Sequence, residues 1–419
     1  MKPQVLLLLL LSLLACVASA QEFDVDLELR PRLELRNGYK TLLSHEQEGT
    51  ELISQRTRLN LGYRHERLQV RFSLRNARLW GDVPLLTQRD QNGIAVFEAY
   101  AAYQAAENLS IKLGRQVLAY DNQRIFAESD WGPQGLAHDA LVFTLLPSPK
   151  QRLDLGLALN NSGDYLADFP YLVSNYKNMQ YLWYHLEGKN TGLSILALNN
   201  GYEYELEPGV WDLRYRQTFG SYFNFKRHAW SGDAAFYAQT GKVADQNLKA
   251  WYASASLNYQ ITNTWNTRIG GEYLSGSSFG SQENRSFSPL FGNSHAFNGF
   301  MDYFYAGNHQ NSVGLMDAFA SLGFQKGRWS GQIIPHYFVS AADLNPTPAS
   351  DYSKYLGTEI DLIAAYTVAS DIRISAGYSQ MFGSESLELL KGGDHDRTQN
   401  FAWLMVSIKP NLFSWKGDQ

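Results

Sequence analysis

The chain has 419 residues, a formal net charge of −5, 14% aromatic residues and a mean hydropathy of −0.32. That balance is too polar for a bundle of membrane helices, and after Leu14 no apolar run approaches the roughly eighteen residues a transmembrane helix needs. A pI near 6.0 gives no reason to expect nucleic acid as a partner, and a membrane role would have to be carried by strands.

The N-terminus reads as a signal peptide over residues 1–20. Lys2 is the positive region, Val5 to Leu14 the apolar stretch, and Ala18-Ser19-Ala20 the small-residue cleavage site. Leu13-Leu14-Ala15-Cys16 also has the form of a lipoprotein processing site, which would leave Cys16 lipidated. Cleavage after Ala20 removes the only cysteine, and with it any disulfide, thiolate metal site or cysteine nucleophile.

Residues 21–419 then form the second unit. It opens with Val25, Leu27, Leu29, Pro31, Leu33 and Leu35 alternating with Asp24, Asp26, Glu28, Arg30, Arg32, Glu34 and Arg36. A period of two is a strand, because a helix would scatter these charges around its circumference. Soluble strands usually run about five or six residues, whereas this alternation holds for about thirteen, enough to cross a bilayer with tilt. Pro31 cannot donate to a ladder, so it is expected at a barrel seam or a bulge.

Onward from there, β-rich segments are separated by connections that alternate long and short. Residues 38–50 form a long connection, Glu66 a tight turn, 81–94 a long one, 106–107 a short one, 121–137 a long one and 147–150 a short one. The series continues with 161–178 long, 188–190 short, 201–209 long, 226–228 short, 241–247 in the long position and Asn263 short. It ends with 276–311, 326–327, 342–354, Ser370 and 383–397. Seventeen connections imply about eighteen strands, with sixteen as the alternative count. Sorting of loops by length is the habit of an all-β transmembrane antiparallel barrel, with short periplasmic turns and long extracellular loops. Tyr63, Trp80, Tyr103, Tyr120, Trp230 and Trp265 fall near strand ends, where aromatic girdles meet the two membrane interfaces.

Arg30, Arg32, Arg36, Arg56, Arg58, Arg71 and Arg75 all occupy the polar parity of their strands and so face the lumen. A guanidinium stays charged and binds a carboxylate through two parallel hydrogen bonds, so a row of them can pass a carboxylated solute along. Permeation favours many modest sites over one tight site. The acids Asp24, Asp26, Glu28, Glu34 and Glu98 are interleaved, and pairing with them would instead stiffen the wall. That structural reading is the preferred one for Arg30 and Arg32, while Arg58, Arg75, Arg124 and Arg216 divide evenly. Arg115 shares parity with Leu109, Ile111 and Leu113, so either a bulge at Gly114 turns it inward or it lies near the interface. The expected substrate pathway is Arg56, Arg58, Arg71, Arg75, Glu98, Arg115, Arg124, Arg214 and Arg216. Residues 276–311 are too long for an idle connection and are expected to fold into the mouth as a lid or constriction. His295 and Asp302 within them read as a polar network rather than a metal or catalytic pair, and His309 as loop surface. Serine-nucleophile motifs, paired zinc-type histidines and phosphate loops are absent from the sequence, so no enzymatic activity, cofactor or metal is expected.

The stretch LGRQVLAYDNQRIF (113–126), with Trp131 and His138-Asp139 after it, resembles the signature of the alginate export family of bacterial outer-membrane barrels. RTRLNLGY (56–63), LWGD (79–82), RQTFG (216–220), FYAQTG (236–241), FSPLFGNSHAFNGFMDYF (287–304) and LGTEIDL (356–362) resemble further segments of it. The resemblance implies a monomeric barrel of eighteen strands with an arginine-rich pathway for a polyuronate, and it favours the bulge that turns Arg115 inward. Two departures are Ser277 after Ser275-Gly276, and the ending SWKGDQ, which makes Phe413 the nearest equivalent of a terminal aromatic. The expected function is passive passage of an anionic polysaccharide through the bacterial outer membrane, the alternative being a less selective porin for small solutes. Partners would be that polysaccharide or a small anionic solute, outer-membrane lipid, and a periplasmic export component.

Overall fold

The computed structural model describes residues 21–85, 93–167, 169–173, 175–347 and 350–417; the signal peptide and Cys16 lie outside the described residues. The first half supplies β1 (Gln21–Asn37), β2 (Thr50–His65), β3 (Leu68–Leu79), β4 (Ala95–Ala106), β5 (Leu109–Gln116), β6 (His138–Ser148), β7 (Gln151–Leu159), β8 (Asn178–Glu187) and β9 (Thr191–Glu207). The second supplies β10 (Val210–Arg227), β11 (Trp230–Val243), β12 (Gln246–Gln260), β13 (Trp265–Leu274), β14 (Leu315–Lys326), β15 (Trp329–Val339), β16 (Tyr355–Ala369) and β17 (Ile372–Gly383). The last strand, β18, runs Gln399–Ile408 and resumes after Pro410 as Asn411–Lys416. One short helix, α1 (Glu385–Lys391), precedes it.

Each strand pairs antiparallel with the next, and β1 closes the sheet on β18. The result is a closed barrel of eighteen strands. Closure matters physically because it satisfies every backbone donor and leaves no edge in hydrocarbon. Both prolines of the seam sit where the ladder allows them. On the β2 side Pro31 pairs with Gln55, whereas on the β18 side the pairing passes from Leu29↔Ile408 to Arg32↔Met405 and skips Pro31. Pro410 breaks β18, and its carbonyl still accepts from Leu27 N at 3.1 Å.

The alternation seen in sequence becomes an inside and an outside. In β1 the side chains of Glu28, Arg30, Arg32 and Glu34 are buried while Leu35 is exposed. In β7, Asp154 is fully buried in the lumen and Leu155, Leu157 and Leu159 stand exposed on the outer surface. Phe72, Ile195, Phe219, Ile269, Leu322, Leu362 and Leu404 continue that apolar band around the barrel. It is bordered near the short turns by the ring pairs Trp230–Tyr259 (4.4 Å), Trp265–Phe324 (5.0 Å) and Trp329–Tyr366 (4.6 Å). Tyr120 is not part of this girdle. Its hydroxyl donates to Asp154 at 2.9 Å and meets that of Tyr181 inside the barrel. Replacing Ile269 by Arg, in the middle of the outer face of β13, is expected to destabilise the barrel by about 2–4 kcal/mol, readable as a lower midpoint of urea unfolding in lipid vesicles.

Two connections differ from the expected pattern. Residues 201–209 and 241–247 are not long loops: β9 and β10 extend to a hairpin at 208–209, and β11 and β12 to one at 244–245. Strand-compatible residues at 201–207, with Tyr202 and Tyr204 partly buried, let the ladder continue where glycine and glutamate suggested a loop. The bulge expected at Gly114 is also absent. Gly114 has a φ of +119°, yet Tyr100↔Gly114 and Ala99↔Arg115 continue an unbroken register. The shift lies in the neighbouring pair, between Ser73 and Leu74, and the extra residue opposite is Phe97.

Candidate permeation pathway

The lumen is not empty. Residues 117–137, between β5 and β6, and residues 275–314, between β13 and β14, turn inward and join. Phe126 and Phe291 form a parallel bridge, Ala127 N donates to Phe291 O (3.0 Å), Phe291 N to Ile125 O (3.1 Å) and Asn293 N to Gln123 O (3.0 Å). Phe126, Phe291, Tyr176, Tyr181 and Trp183 pack around that junction as an apolar core inside the barrel. Burying these rings is what draws the loops in, since apolar side chains in a wet lumen have nowhere else to go.

The first loop is then pinned to a basic wall. Arg30 on β1 reaches Asp130 at 3.0 Å, and Arg56 on β2 bridges Asp130 (2.6 Å) and Glu28 (2.7 Å). Arg32 and Arg36 share Glu34 at 2.6 and 2.5 Å, and Arg32 also donates to Trp131 O at 2.8 Å. Burial would raise the carboxyl of Asp130, but Arg30 and Arg56 outweigh it and hold it below the usual carboxylate range. The Trp131 ring is clamped between the Arg32 guanidinium, 3.7 Å from its centroid, and the ring of His295, also at 3.7 Å and nearly parallel.

The second loop is pinned to an acidic wall that begins three strands round from β1, beyond β18 and β17. Glu359 on β16 accepts from Met301 N (2.8 Å) and Asp361 from Phe300 N (3.3 Å). Gly299, at φ +83°, has the Glu359 carboxylate 2.6 Å from where a Cβ would stand, so only glycine fits there. Arg124 links the loops to each other and to the wall: it pairs with Glu272 on β13 at 2.8 Å and donates to Asn298 Oδ1 at 2.9 Å, with about 1% of its surface exposed. His295 and Asp302 pair at 2.9 Å, and the Tyr39 hydroxyl donates to the same carboxylate, giving a loop brace. His309 is not loop surface. It is buried, burial followed by nearby Arg124 pushes its imidazole down to about 3, and its Nε2–H donates to Phe304 O at 2.9 Å.

The remaining expected pathway residues divide by what they touch. Arg58 stacks on Phe97 at 3.8 Å and lies 3.9 Å from Glu28. Arg75 lies 5.5 Å from the same ring and donates to Gln134 O. Arg216, buried on β10, faces the ring of Tyr202 at 5.6 Å. Among the described residues none of these three has a carboxylate within 3.5 Å. Arg71 and Glu98 approach each other at 3.9 Å, and Glu98 also accepts from Val117 N at the root of the first loop. Arg115 pairs with Asp139 at 2.7 Å, with both side chains substantially exposed, at the end of β5 away from its short turn. Arg214 pairs with Asp212 at 2.9 Å near the extracellular hairpin. Asp130, Glu272, Asp317, Glu359 and Asp361 were not anticipated. The last two share the lumenal parity of LGTEIDL, a signal that was present in the alternation.

A cavity of 270 Å³ lies between the Phe297–Phe300 turn and the wall carrying Asp233, Arg268, Glu272, Asp317 and His336. A cleft of 580 Å³ lies between Arg115, His138, Tyr202, Leu290 and Tyr305.

Solved structures share this architecture. The outer membrane protein OpdK from Pseudomonas aeruginosa superposes with a TM-score of 0.61 at 14% identity, over 94% of this chain and 99% of that one. OccAB1 of Acinetobacter baumannii gives 0.63 at 12% identity, over 93% and 97%. OccK11 (OpdR) of P. aeruginosa gives 0.59 at 12%, over 93% and 96%. The chain is an eighteen-stranded barrel of the bacterial outer membrane. At these identities the likeness is one of fold. No protein-family model matches the chain, and no curated protein does. The resemblance to the alginate export family is therefore corrected: the barrels this chain superposes on are of the Occ type.

Proposed function

We propose that this barrel is a passive diffusion channel for small solutes, with a preference for anions carrying a carboxylate. The carrying observation is the state of two guanidiniums on the arginine-rich wall of β1–β3: Arg30, Arg32, Arg36 and Arg56 are paired with Glu28, Glu34 and Asp130, whereas Arg58 comes no closer than 3.9 Å to a carboxylate and Arg75 is held by a backbone carbonyl. A guanidinium without a close acid partner is one on which a solute carboxylate can step. Arg58 and Arg75 are the best placed, being held by ring faces and a backbone carbonyl rather than by acids. Arg71 and Glu98 would continue the path, Arg115 would meet solutes at the extracellular end, and Arg216 would face them from the opposite side.

Size supports the small-solute reading over a polymer. Two inward loops divide the lumen, and spaces of 270 and 580 Å³ are of the order that holds a single small molecule. One of the matching structures, OpdK, was solved with vanillate, itself a small carboxylate.

In planar bilayers under a salt gradient, the reversal potential is expected to report anion preference, and the R58Q/R75Q double variant is expected to move it toward zero. An unchanged reversal potential in a correctly folded double variant would remove both residues from the path. Wild-type indifference to ion sign would end the anion reading.

A further inference from the structure

Away from the lumen, two extracellular loops meet in a cluster of mixed donors. Residues 38–49 follow β1, and residues 384–398, which include α1, follow β17. His45 Nε2 lies 2.5 Å from Asp394 Oδ2, and His395 Nδ1 lies 2.7 Å from Glu388 Oε2. One ligating atom each from Glu388, Asp394 and His395 falls within a 4.8 Å span. We propose that His45, Glu388, Asp394 and His395 form a binding site for a divalent transition ion of the zinc type, which ties the two loops together at the mouth.

Three features carry this. The donor set is two imidazoles and two carboxylates, which suits zinc and its neighbours, whereas calcium and magnesium prefer oxygen alone. The site is also built in advance by contacts that involve none of the four side chains as partners of one another. Gly393, at φ +86°, lies so close to Leu42 that an added Cβ would stand 2.2 Å from the Leu42 carbonyl oxygen. Arg397 donates to the carbonyl oxygens of Ser44 and Gln47, and Leu43 N donates to Gln399 Oε1 at 3.0 Å. These clasps place His45 over Asp394 from a loop some 350 residues earlier in the chain. Finally, Asp394 Oδ2 is shielded from solvent yet makes no well-directed hydrogen bond. A shielded carboxylate oxygen that faces the His45 imidazole nitrogen without a directed hydrogen bond is a position a cation held by both can satisfy. Asp396, 3.5 Å from His395 Nε2 and well exposed, lies at the open side where water could complete the coordination.

The test uses the whole barrel in detergent, stripped with a chelator and titrated calorimetrically with zinc chloride. One equivalent is expected to bind, magnesium chloride to give no saturable heat, and cobalt to give visible absorption bands of a low-coordinate site. H45A and H395A are each expected to weaken zinc by at least about tenfold. E385Q, on the exposed first turn of α1, is expected to leave it unchanged. Heat-modifiable gel mobility establishes that each variant is a folded barrel. Absence of saturable binding in the wild type would overturn the proposal. So would undiminished binding in a folded H45A/H395A double variant, which would assign the ion to another exposed histidine such as His228. Neither result bears on anion permeation, because the site is outside the lumen.

Discussion

Replacing residues 286–305 with a short glycine-serine linker is expected to raise single-channel conductance several-fold while the protein still migrates as a folded barrel. The segment carries Phe287, Phe291, Met301, Tyr303 and Phe304, all buried within the lumen rather than in the wall. The wall is held by an unbroken ring of antiparallel ladders that does not include this segment. Removing the segment widens the path without opening the ring. Its loss also strips Phe126 of its bridge partner, so residues 117–137 lose one of their anchors and the widening should exceed the volume deleted. Conductance in planar bilayers measures the effect directly. A deletion that folds normally and conducts like the wild type would show that the narrowest point lies elsewhere.

The second large effect is expected at Arg124. Its guanidinium is almost completely buried between Glu272 and Asn298, and Asn298 in turn donates to Asp317 at 3.2 Å. Replacing Arg124 by Leu leaves the Glu272 carboxylate buried without its cation, a change that typically costs about 3–5 kcal/mol. The barrel can limit that cost by letting the loops detach, so the loss should appear first as local opening. Limited proteolysis within residues 117–137 should quicken, and conductance should rise together with it. The double variant R124L/E272L should recover much of the loss, because no unpaired charge remains, and the interaction energy from that cycle measures the pair itself. Proteolysis and stability unchanged in R124L would mean that the loops are held by their apolar contacts alone.

Both effects concern interior loops, and these were the least legible part of the sequence. Residues 276–311 were expected to enter the mouth because of their length and aromatic content. Residues 121–137 gave no such expectation, although Ile125, Phe126 and Ala127 are as deeply buried as any side chain in the protein. Three apolar residues in a supposed surface loop were the available sign. Arg124 was weighed evenly between the solute path and structural pairing, and its guanidinium links the two loops to the wall. Arg30 and Arg32 were expected to pair structurally and do so, but Arg30 pairs with Asp130, one hundred residues away, and not with an acid of its own strand.

What the sequence determined by itself was everything that depends on near neighbours. The period-two alternation of Asp24 to Arg36 assigns strand, inner face and outer face, because side-chain direction along a strand reverses at each residue whatever the rest of the chain does. Repeated with short and long connections, it also determined a closed barrel in a membrane. Tertiary structure alone decided which lumenal arginines are taken up by carboxylates and which are not. Arg56 is occupied and Arg75 is comparatively free because of where Asp130 and Gln134 come to rest, and that position follows from the burial of Phe126 against Phe291, a contact between segments that share no local pattern. Charge pairing at long range is set by where loops collapse, and collapse is a property of the whole lumen.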